Sequence, residues 1–156
     1  MDTPKGYPRY PRLGEDILLT QTDTTVGFLS QNKEKLLHIK NRPQTKPFLV
    51  KLFTLTACKE HIRFPRDIKN RVRRAKKTTF VVKNQAFRVA KPKTDSLIFN
   101  KLKWCYSTSA NEHKKNFDYN FAFSQTNLLI QNNYPLKEEK ASTILLVGKR
   151  KIRKIR

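Results

Sequence analysis

The chain has 156 residues, of which 37% are hydrophobic and ten are Phe, and this is enough to close one core without disulfide or metal staples. Its 34 Lys and Arg against 12 Asp and Glu give a formal net charge of +22, which predicts a nucleic acid or a multiply charged nucleotide as partner. No stretch is long enough to cross a bilayer. The two cysteines, Cys58 and Cys105, lack metal-ligand spacing. We therefore expect a protein of the reducing cytoplasm, without a membrane span or a structural metal.

Composition divides the chain into three predicted segments. Residues 1–15 carry Pro and charge but no apolar run, which predicts an extended N-terminal arm and not a signal peptide. Residues 16–148 carry the apolar runs of a single domain, and residues 149–156 form a basic C-terminal segment.

The domain begins with a predicted strand. The apolar run Ile17–Leu19 stops at the polar segment Thr20–Thr25, which predicts a strand that feeds a functional loop, and Gly27 then predicts a turn. A helix is predicted over Lys33–Lys40, because its apolar residues share one face and its basic end suits the helix dipole.

The middle of the chain predicts strands around one basic helix. Phe48–Phe53 is a β-rich apolar run, and Pro65–Arg74 reads as a basic helix with Pro at its start. Thr78–Lys83 and Gln85–Ala90 are separated by Asn84 alone, which predicts a β-hairpin.

The last third again mixes both element types. Helices are predicted over residues 96–102 and 117–123, and strands over residues 104–106, 128–130 and 142–147. This order predicts an α/β fold, in which one domain has a twisted mixed sheet with flanking helices.

Three polar motifs follow one another along the chain. They are Thr22–Phe28 (TDTTVGF), Lys40–Val50 (KNRPQTKPFLV) and Ser107–Asn111 (STSAN). Alone, each has a simpler explanation, such as a capped turn or a basic helix end. In this order and spacing they resemble the motifs of the YrdC-like family of threonylcarbamoyl-AMP synthases, and Ala86–Arg88 resembles a further family strand.

The resemblance implies a YrdC-like fold and a reaction that joins L-threonine, bicarbonate and ATP into threonylcarbamoyl-AMP and pyrophosphate, for tRNA modification. It implies no protein nucleophile and no protein metal ligand; Mg²⁺ would come with ATP. Possible macromolecular partners are tRNA and the threonylcarbamoyl-transfer machinery. The implied ATP-binding residues are Lys40, Arg42, Lys46, Asn111, Ser142 and Arg153, and the implied threonine-binding residues are Thr24, Arg88 and Ser109.

The sequence departs from the family pattern at several positions. Val26 stands where the family has Tyr, Lys51 replaces a common His, and the cationic stretch Arg74–Phe80 replaces a turn rich in Trp and Pro. An alternative hypothesis is therefore a catalytically weakened paralogue that binds double-stranded or structured RNA through charge and shape. Its candidate RNA-binding residues are Arg71, Arg73, Arg74, Lys76 and Lys77. A third hypothesis, an unrelated basic protein of the ribosome, explains the charge but not the motifs.

The two main hypotheses differ in the geometry they predict. The synthase hypothesis predicts that Lys40, Arg42, Arg88, Ser109 and Asn111 converge on one cavity. A protein that only binds RNA needs a continuous cationic face instead.

Overall fold

The computed structural model describes residues 12, 14–63, 65–90, 97–130 and 135–156. The predicted N-terminal arm therefore lies almost wholly outside the described residues. The strands are β1 (Leu18–Gln21), β2 (Val26–Ser30), β3 (Leu49–Leu52), β4 (Thr78–Val82), β5 (Gln85–Val89), β6 (Trp104–Ser109), β7 (Leu128–Ile130), β8 (Thr143–Val147) and β9 (Ile152–Lys154). The helices are α1 (Lys33–Lys40), α2 (Leu55–His61), α3 (Lys69–Arg74), α4 (Leu97–Leu102) and α5 (Tyr119–Ser124), and a 3₁₀ turn (Arg66–Ile68) precedes α3.

All nine described strands form one mixed sheet in the order β7-β1-β2-β6-β3-β5-β4-β8-β9. The pairs β1–β7, β3–β5 and β4–β8 are parallel, and the other five pairs are antiparallel. The predicted α/β fold with a mixed sheet and flanking helices is confirmed. No described helix is both long and apolar enough to span a membrane.

Helices cover the two faces of the sheet unequally. Alternate side chains of a strand point to opposite faces, so Leu18 and Leu19 belong to different core clusters. Leu19 lies in the cluster that α1 and α5 complete, and Val50 lies on the same face beneath α2 and α3. Leu18 lies on the other face, where Phe99 and Leu102 of α4 cover it. The part of this second face above β3, β5 and β4 is left for the cavity described below.

Several elements match their predictions closely. The helix α1 has the predicted bounds and begins at the N-cap Asn32, whose side chain accepts a hydrogen bond from the Lys35 amide at 3.0 Å. The hairpin of β4 and β5 turns through Lys83 and Asn84, both with positive φ, as tight hairpin turns require.

Three predictions about local structure were wrong. Gly27 lies inside β2 and not in a turn, because the strand passes so close to β6 that a β-carbon at residue 27 would lie 3.0 Å from the Thr108 carbonyl oxygen. The strand predicted to end at Tyr106 continues through Ser109, since β2 and β3 supply partners on both sides. The strand β8 is not the last, because β9 pairs with it.

One helix was not predicted at all. The helix α2 follows Thr54, whose hydroxyl oxygen caps it by accepting a hydrogen bond from the Ala57 amide at 3.0 Å. Its buried residues, Ala57 and Cys58, pack on the sheet. With only seven residues the helix offers too short an apolar pattern for a prediction from periodicity.

Candidate active site

A cavity of about 460 Å³ opens over the middle of the sheet, on the face opposite α2 and α3. Its lining follows the two-residue period of the strands. Lys51 lines it from β3, while the neighbouring Val50 and Leu52 point into the core on the other face. Arg88 lines the cavity from β5, and Ser109 lines it from β6. The volume lies in the range of small-molecule sites.

Two buried cations share one carboxylate in this cavity. The register of the parallel strands β3 and β5 sets Lys51 beside Arg88. The Asp23 carboxylate reaches them from the turn between β1 and β2: its Oδ1 accepts a hydrogen bond from Lys51 Nζ at 2.9 Å and one from Arg88 Nη1 at 3.0 Å. Because the three groups sum to one positive charge, this part of the cavity favours a further anion.

The pKa values of these groups reflect the competition between burial and charge. Burial disfavours ionised Asp23, but the positive charges of Lys51 and Arg88, with their hydrogen bonds, outweigh it and hold the Asp23 pKa below its usual value. Burial lowers the pKa of Lys51, and Asp23 partly restores it. Asp23 is thus an internal counter-ion, and the ionised carboxylate is the form that the fold stabilises.

Hydroxyl groups complete the surroundings of Arg88. Its Nη1 also donates to Thr24 Oγ1 at 3.0 Å, and its Nη2 donates to Thr79 Oγ1 at 2.8 Å. The Thr79 hydroxyl lies 3.0 Å from the hydroxyl of Ser142, which precedes β8. The guanidinium is therefore fixed by contacts from two separate parts of the chain, the turn that carries Asp23 and Thr24 and the strand that carries Thr79, with 4% of the residue exposed.

Two further arginines lie at the exposed edge of the cavity. Arg42 follows α1, and its guanidinium lies over the Phe48 ring, with its Cζ atom 5.3 Å from the ring centroid. Arg156 enters from the C-terminus and donates from Nε to the Ser142 carbonyl at 3.2 Å. Arg42 is half-buried and Arg156 is exposed, and neither forms a salt bridge with a described carboxylate, so both can meet a larger anion without first losing a charged partner.

Lys40 holds the end of β6 in place. Its ammonium donates to the Ser109 carbonyl at 3.0 Å, to Asn111 Oδ1 at 3.0 Å and to the Asn111 carbonyl. These three bonds use all three N–H groups of the ammonium. Burial and the neighbouring charge of Arg42 lower the pKa of Lys40 to about 8. In this structure Lys40 positions the end of β6 that carries Ser109, and Lys40 itself does not line the cavity.

The predicted site residues are only partly brought together. Those that line the cavity are Thr24, Arg42, Arg88, Ser109 and Ser142. Lys40 and Asn111 contact Ser109 from behind without lining the cavity. Lys46 does not line it either, and Arg153 lies exposed on β9 while Arg156 takes the place at the cavity that was predicted for Arg153.

The predicted RNA-binding residues lie elsewhere. Arg71, Arg73 and Arg74 belong to α3, on the opposite face of the sheet, and all three are exposed, as are Lys76 and Lys77. Lys77 forms a salt bridge with Glu139 at 3.4 Å.

Sequence reasoning missed four contributors to the cavity: Lys51, Asp23, Thr79 and Arg156. Lys51 was recognised only as a substitution, and Asp23 only as part of a loop motif. The usable signal for Lys51 and Thr79 was a polar residue beside an apolar core position within a predicted strand. No comparable local signal marks Arg156, because its position depends on the pairing of β9 with β8.

Metal ligation and thiol chemistry can be examined in the described residues. No three of their His, Cys, Asp and Glu side chains cluster in a way that could hold a metal ion. Burial raises the pKa of the Cys58 thiol to about 11 and that of Cys105 to about 12, so both thiols stay protonated at neutral pH. The cavity lining offers ammonium, guanidinium and hydroxyl groups, which suit the binding and orientation of charged ligands.

No protein-family model and no curated protein matches the chain, but solved structures do. Sua5 from P. abyssi, solved in complex with L-threonine, aligns with 90% of this chain and 50% of its own at 13% identity and a TM-score of 0.68. E. coli YciO aligns over 90% of this chain and 82% of its own, at 15% identity and a TM-score of 0.66. Full-length HypF in its phosphate- and nucleotide-bound form aligns over 90% of this chain and 26% of its own, at 14% identity and a TM-score of 0.70.

This chain thus spans about half the length of Sua5. At these low sequence identities, the similarity between this chain and the three solved structures concerns the backbone fold alone. The chain has the YrdC-like fold that its three sequence motifs predicted.

Proposed function

We propose that the chain is an L-threonylcarbamoyladenylate synthase, which makes threonylcarbamoyl-AMP from L-threonine, bicarbonate and ATP for tRNA modification. The observation that carries the proposal is the meeting of Thr24, Arg42 and Ser109, one from each sequence motif, with Arg88 around one cavity.

Threonine fits the buried end of the cavity. Its carboxylate would pair with Arg88, in the position that the Asp23 carboxylate and the Thr24 hydroxyl now share. Ser109 would bond the remaining polar groups of the amino acid. The threonine bound in the Sua5 crystal structure supports this assignment.

ATP fits the exposed end, where Arg42 and Arg156 are free of described carboxylates. An arginine fork suits phosphate oxygens because two of its N–H groups can bond one phosphate. Ser142 lies between Arg156 and the buried end, in a position to meet the nucleotide. The nucleotide-bound form of HypF supports a nucleotide site in this fold.

The reaction needs positioning more than covalent help from the protein. Threonine and bicarbonate give the N-carboxylate of threonine and water; a carboxylate oxygen of this carbamate then attacks the α-phosphorus of ATP, and the bond to pyrophosphate breaks. Lys51 and Arg88 would hold the two negative charges of the carbamate, and Arg42 would stabilise the charge on the phosphates. Mg²⁺ would enter with ATP and supply positive charge for the phosphates, and Asp23 is not assigned as its ligand because it already pairs with two cations.

Pyrophosphate release tests the proposal. The purified chain, given L-threonine, bicarbonate and Mg-ATP, is expected to release pyrophosphate only when all three are present. Arg42→Ala should lower the rate at least about tenfold, because one phosphate contact is lost while the fold keeps its buried network. Arg63→Ala, at an exposed arginine outside the cavity, is the matched control. Release that ignores threonine, or equal rates in both variants, would overturn the proposal.

A further inference from the structure

Lys51 is a buried cation whose hydrogen bonds are incomplete. Its ammonium has three N–H groups, and within the described part of the chain only one of them is used, by Asp23 Oδ1 at 2.9 Å. Lys40 differs, because all three of its N–H groups donate to Ser109 and Asn111. Lys51 is only 3% exposed, so two strong donors lie at the cavity wall with little access to bulk solvent. Such an arrangement is costly unless an acceptor binds there.

Arg88 is less open to a new ligand than Lys51 is. All three nitrogens of its guanidinium donate hydrogen bonds, and their partners are Asp23, Thr24 and Thr79. An anion that binds Arg88 must therefore share or displace one of these partners. An anion that binds Lys51 can use the two remaining N–H groups and leave Asp23 in place. Lys51 is thus the position at which a small anion can bind without disturbing the buried network.

A second unused polar group lies near Lys51 on the neighbouring strand. In the antiparallel pair β3–β6, Lys51 is directly opposite Cys105, and Ser107 follows two residues later on the same face. Such diagonal positions are about 7–8 Å apart, which leaves room for one small ligand between the two side chains. Ser107 is 7% exposed and lines the cavity, and its hydroxyl makes no hydrogen bond to any described residue.

We propose that Lys51 and Ser107 form a subsite for bicarbonate. The ammonium calls for an anion, and the short separation of the two positions calls for a small one. The two unused N–H groups and the Ser107 hydroxyl offer three contacts, and bicarbonate has three oxygen atoms in one plane to meet them. Formate, with two oxygens, can meet the same contacts only by sharing one oxygen between two donors.

The subsite adjoins the place where the proposed function puts the carboxylate of threonine, because Lys51 and Arg88 are register partners on β3 and β5. It would then supply the carbon of the carbamate. This use rests on the proposed synthase activity, whereas the binding of bicarbonate does not. A chain that binds bicarbonate here but releases no pyrophosphate would support the subsite and contradict the proposed function. Pyrophosphate release without any effect of bicarbonate on Lys51 or Ser107 would do the reverse.

The test is an NMR titration of the full chain with sodium bicarbonate at neutral pH, without ATP or threonine and with ionic strength held constant by sodium chloride. The carbon-13 signal of Lys51 Cε and the amide signal of Ser107 report on the two sides of the subsite. Bicarbonate is expected to shift both signals with one affinity, and sodium formate should bind at least about threefold more weakly, since one contact is shared. Equal affinity for formate would indicate a general carboxylate site and overturn the assignment to bicarbonate.

Two variants divide the contact between its partners. Ser107→Ala should weaken bicarbonate binding about three- to tenfold, measured at Lys51 Cε, since one neutral hydrogen bond is lost. Lys51→Met should weaken it at least about tenfold, measured at the Ser107 amide, since hydrogen bonds from a charged donor are lost.

The matched controls are Ser124→Ala and Lys101→Met, at exposed positions outside the cavity, and their affinity should stay within about twofold of that of the unmodified chain. Ser107→Ala leaves the pairing of Asp23 with its two cations intact, so it decides the question even if Lys51→Met does not fold. Equal losses in variants and controls, or bicarbonate that shifts neither signal, would overturn the inference.

Discussion

Asp23 sets the net charge at the buried end of the cavity, because its carboxylate is paired with both Lys51 and Arg88. The family resemblance directs attention to Arg88 as a ligand-binding residue. The structure adds that Arg88 already has a carboxylate partner, so an incoming anion, such as the carboxylate of the proposed threonine ligand, must share Arg88 with Asp23 or displace Asp23. The affinity for an anionic ligand is then set partly by how readily Asp23 gives way.

The variant Asp23→Asn tests Asp23 both as the counter-ion of the two buried cations and as the competitor of an incoming anion. The variant leaves Lys51 and Arg88 without their counter-ion, so the free energy of unfolding in urea should fall by about 3 kcal/mol, as for other broken buried pairs. The same loss of negative charge should make the fold more strongly stabilised by added phosphate than the unmodified chain is. Asp67→Asn, at an exposed carboxylate, is the control. If both variants unfolded at the same urea concentration, Asp23 would not be the internal counter-ion.

Lys40 gives a prediction about pH. Its folded-state pKa is about 8, below the ordinary 10.5, so the ammonium loses its proton as the pH rises through about 8. The neutral amine has one N–H fewer, and one of its bonds to Ser109 and Asn111 must be lost. A carbon-13 NMR titration of the Lys40 Cε should show a midpoint near 8, with shifts in the Ser109 amide at the same pH. A midpoint above 10, as for an exposed lysine, would contradict this environment.

At the scale of elements, the close approach of β2 and β6 shapes the cavity. Gly27 on β2 pairs with Ser109 on β6, and it contributes to the lining because it has no side chain. A β-carbon there would lie 3.0 Å from the Thr108 carbonyl oxygen and 3.1 Å from Thr22 Cγ2. Backbone atoms on one side and the turn before β2 on the other leave little room for adjustment.

Gly27→Ala should therefore destabilise the fold and disturb the site together. Overpacking of this kind costs about 1–3 kcal/mol, measurable as a shift of the urea midpoint. The Ser109 and Thr24 amide signals should move as well, since β6 and the turn must yield. A variant with unchanged stability and an unchanged spectrum would show that the strands can separate freely at this point.

Elements of this fold differ in how far local sequence determines them. The helix α1 and the β4–β5 hairpin were predictable, because a cap, an apolar face and a tight turn are all encoded within a few residues. The strand β9 was not, because Ile152–Lys154 is strongly basic and becomes a strand only by pairing with β8. The prediction of a turn at Gly27 was wrong for a similar reason. The close contact that favours glycine there comes from Thr108, about eighty residues away in the chain.

At the scale of the whole molecule, the sheet separates two charged regions that the sequence mixes together. The motifs predicted that Thr24, Arg42, Arg88 and Ser109 meet at one cavity, since each motif keeps its place relative to a strand or a helix end. They could not predict the pairing of Asp23 with Lys51, which depends on how the first turn folds over β3. Nor could charge alone show that α3 and the C-terminal segment share a surface behind the cavity.

The most direct measurement is mass spectrometry of the products that the purified chain forms from L-threonine, Mg-ATP and carbon-13 bicarbonate. The account predicts threonylcarbamoyl-AMP that carries one carbon-13 atom, together with an equal amount of pyrophosphate. Complete absence of this product, from folded protein supplied with all three substrates, would contradict the assignment of the cavity as a synthase site.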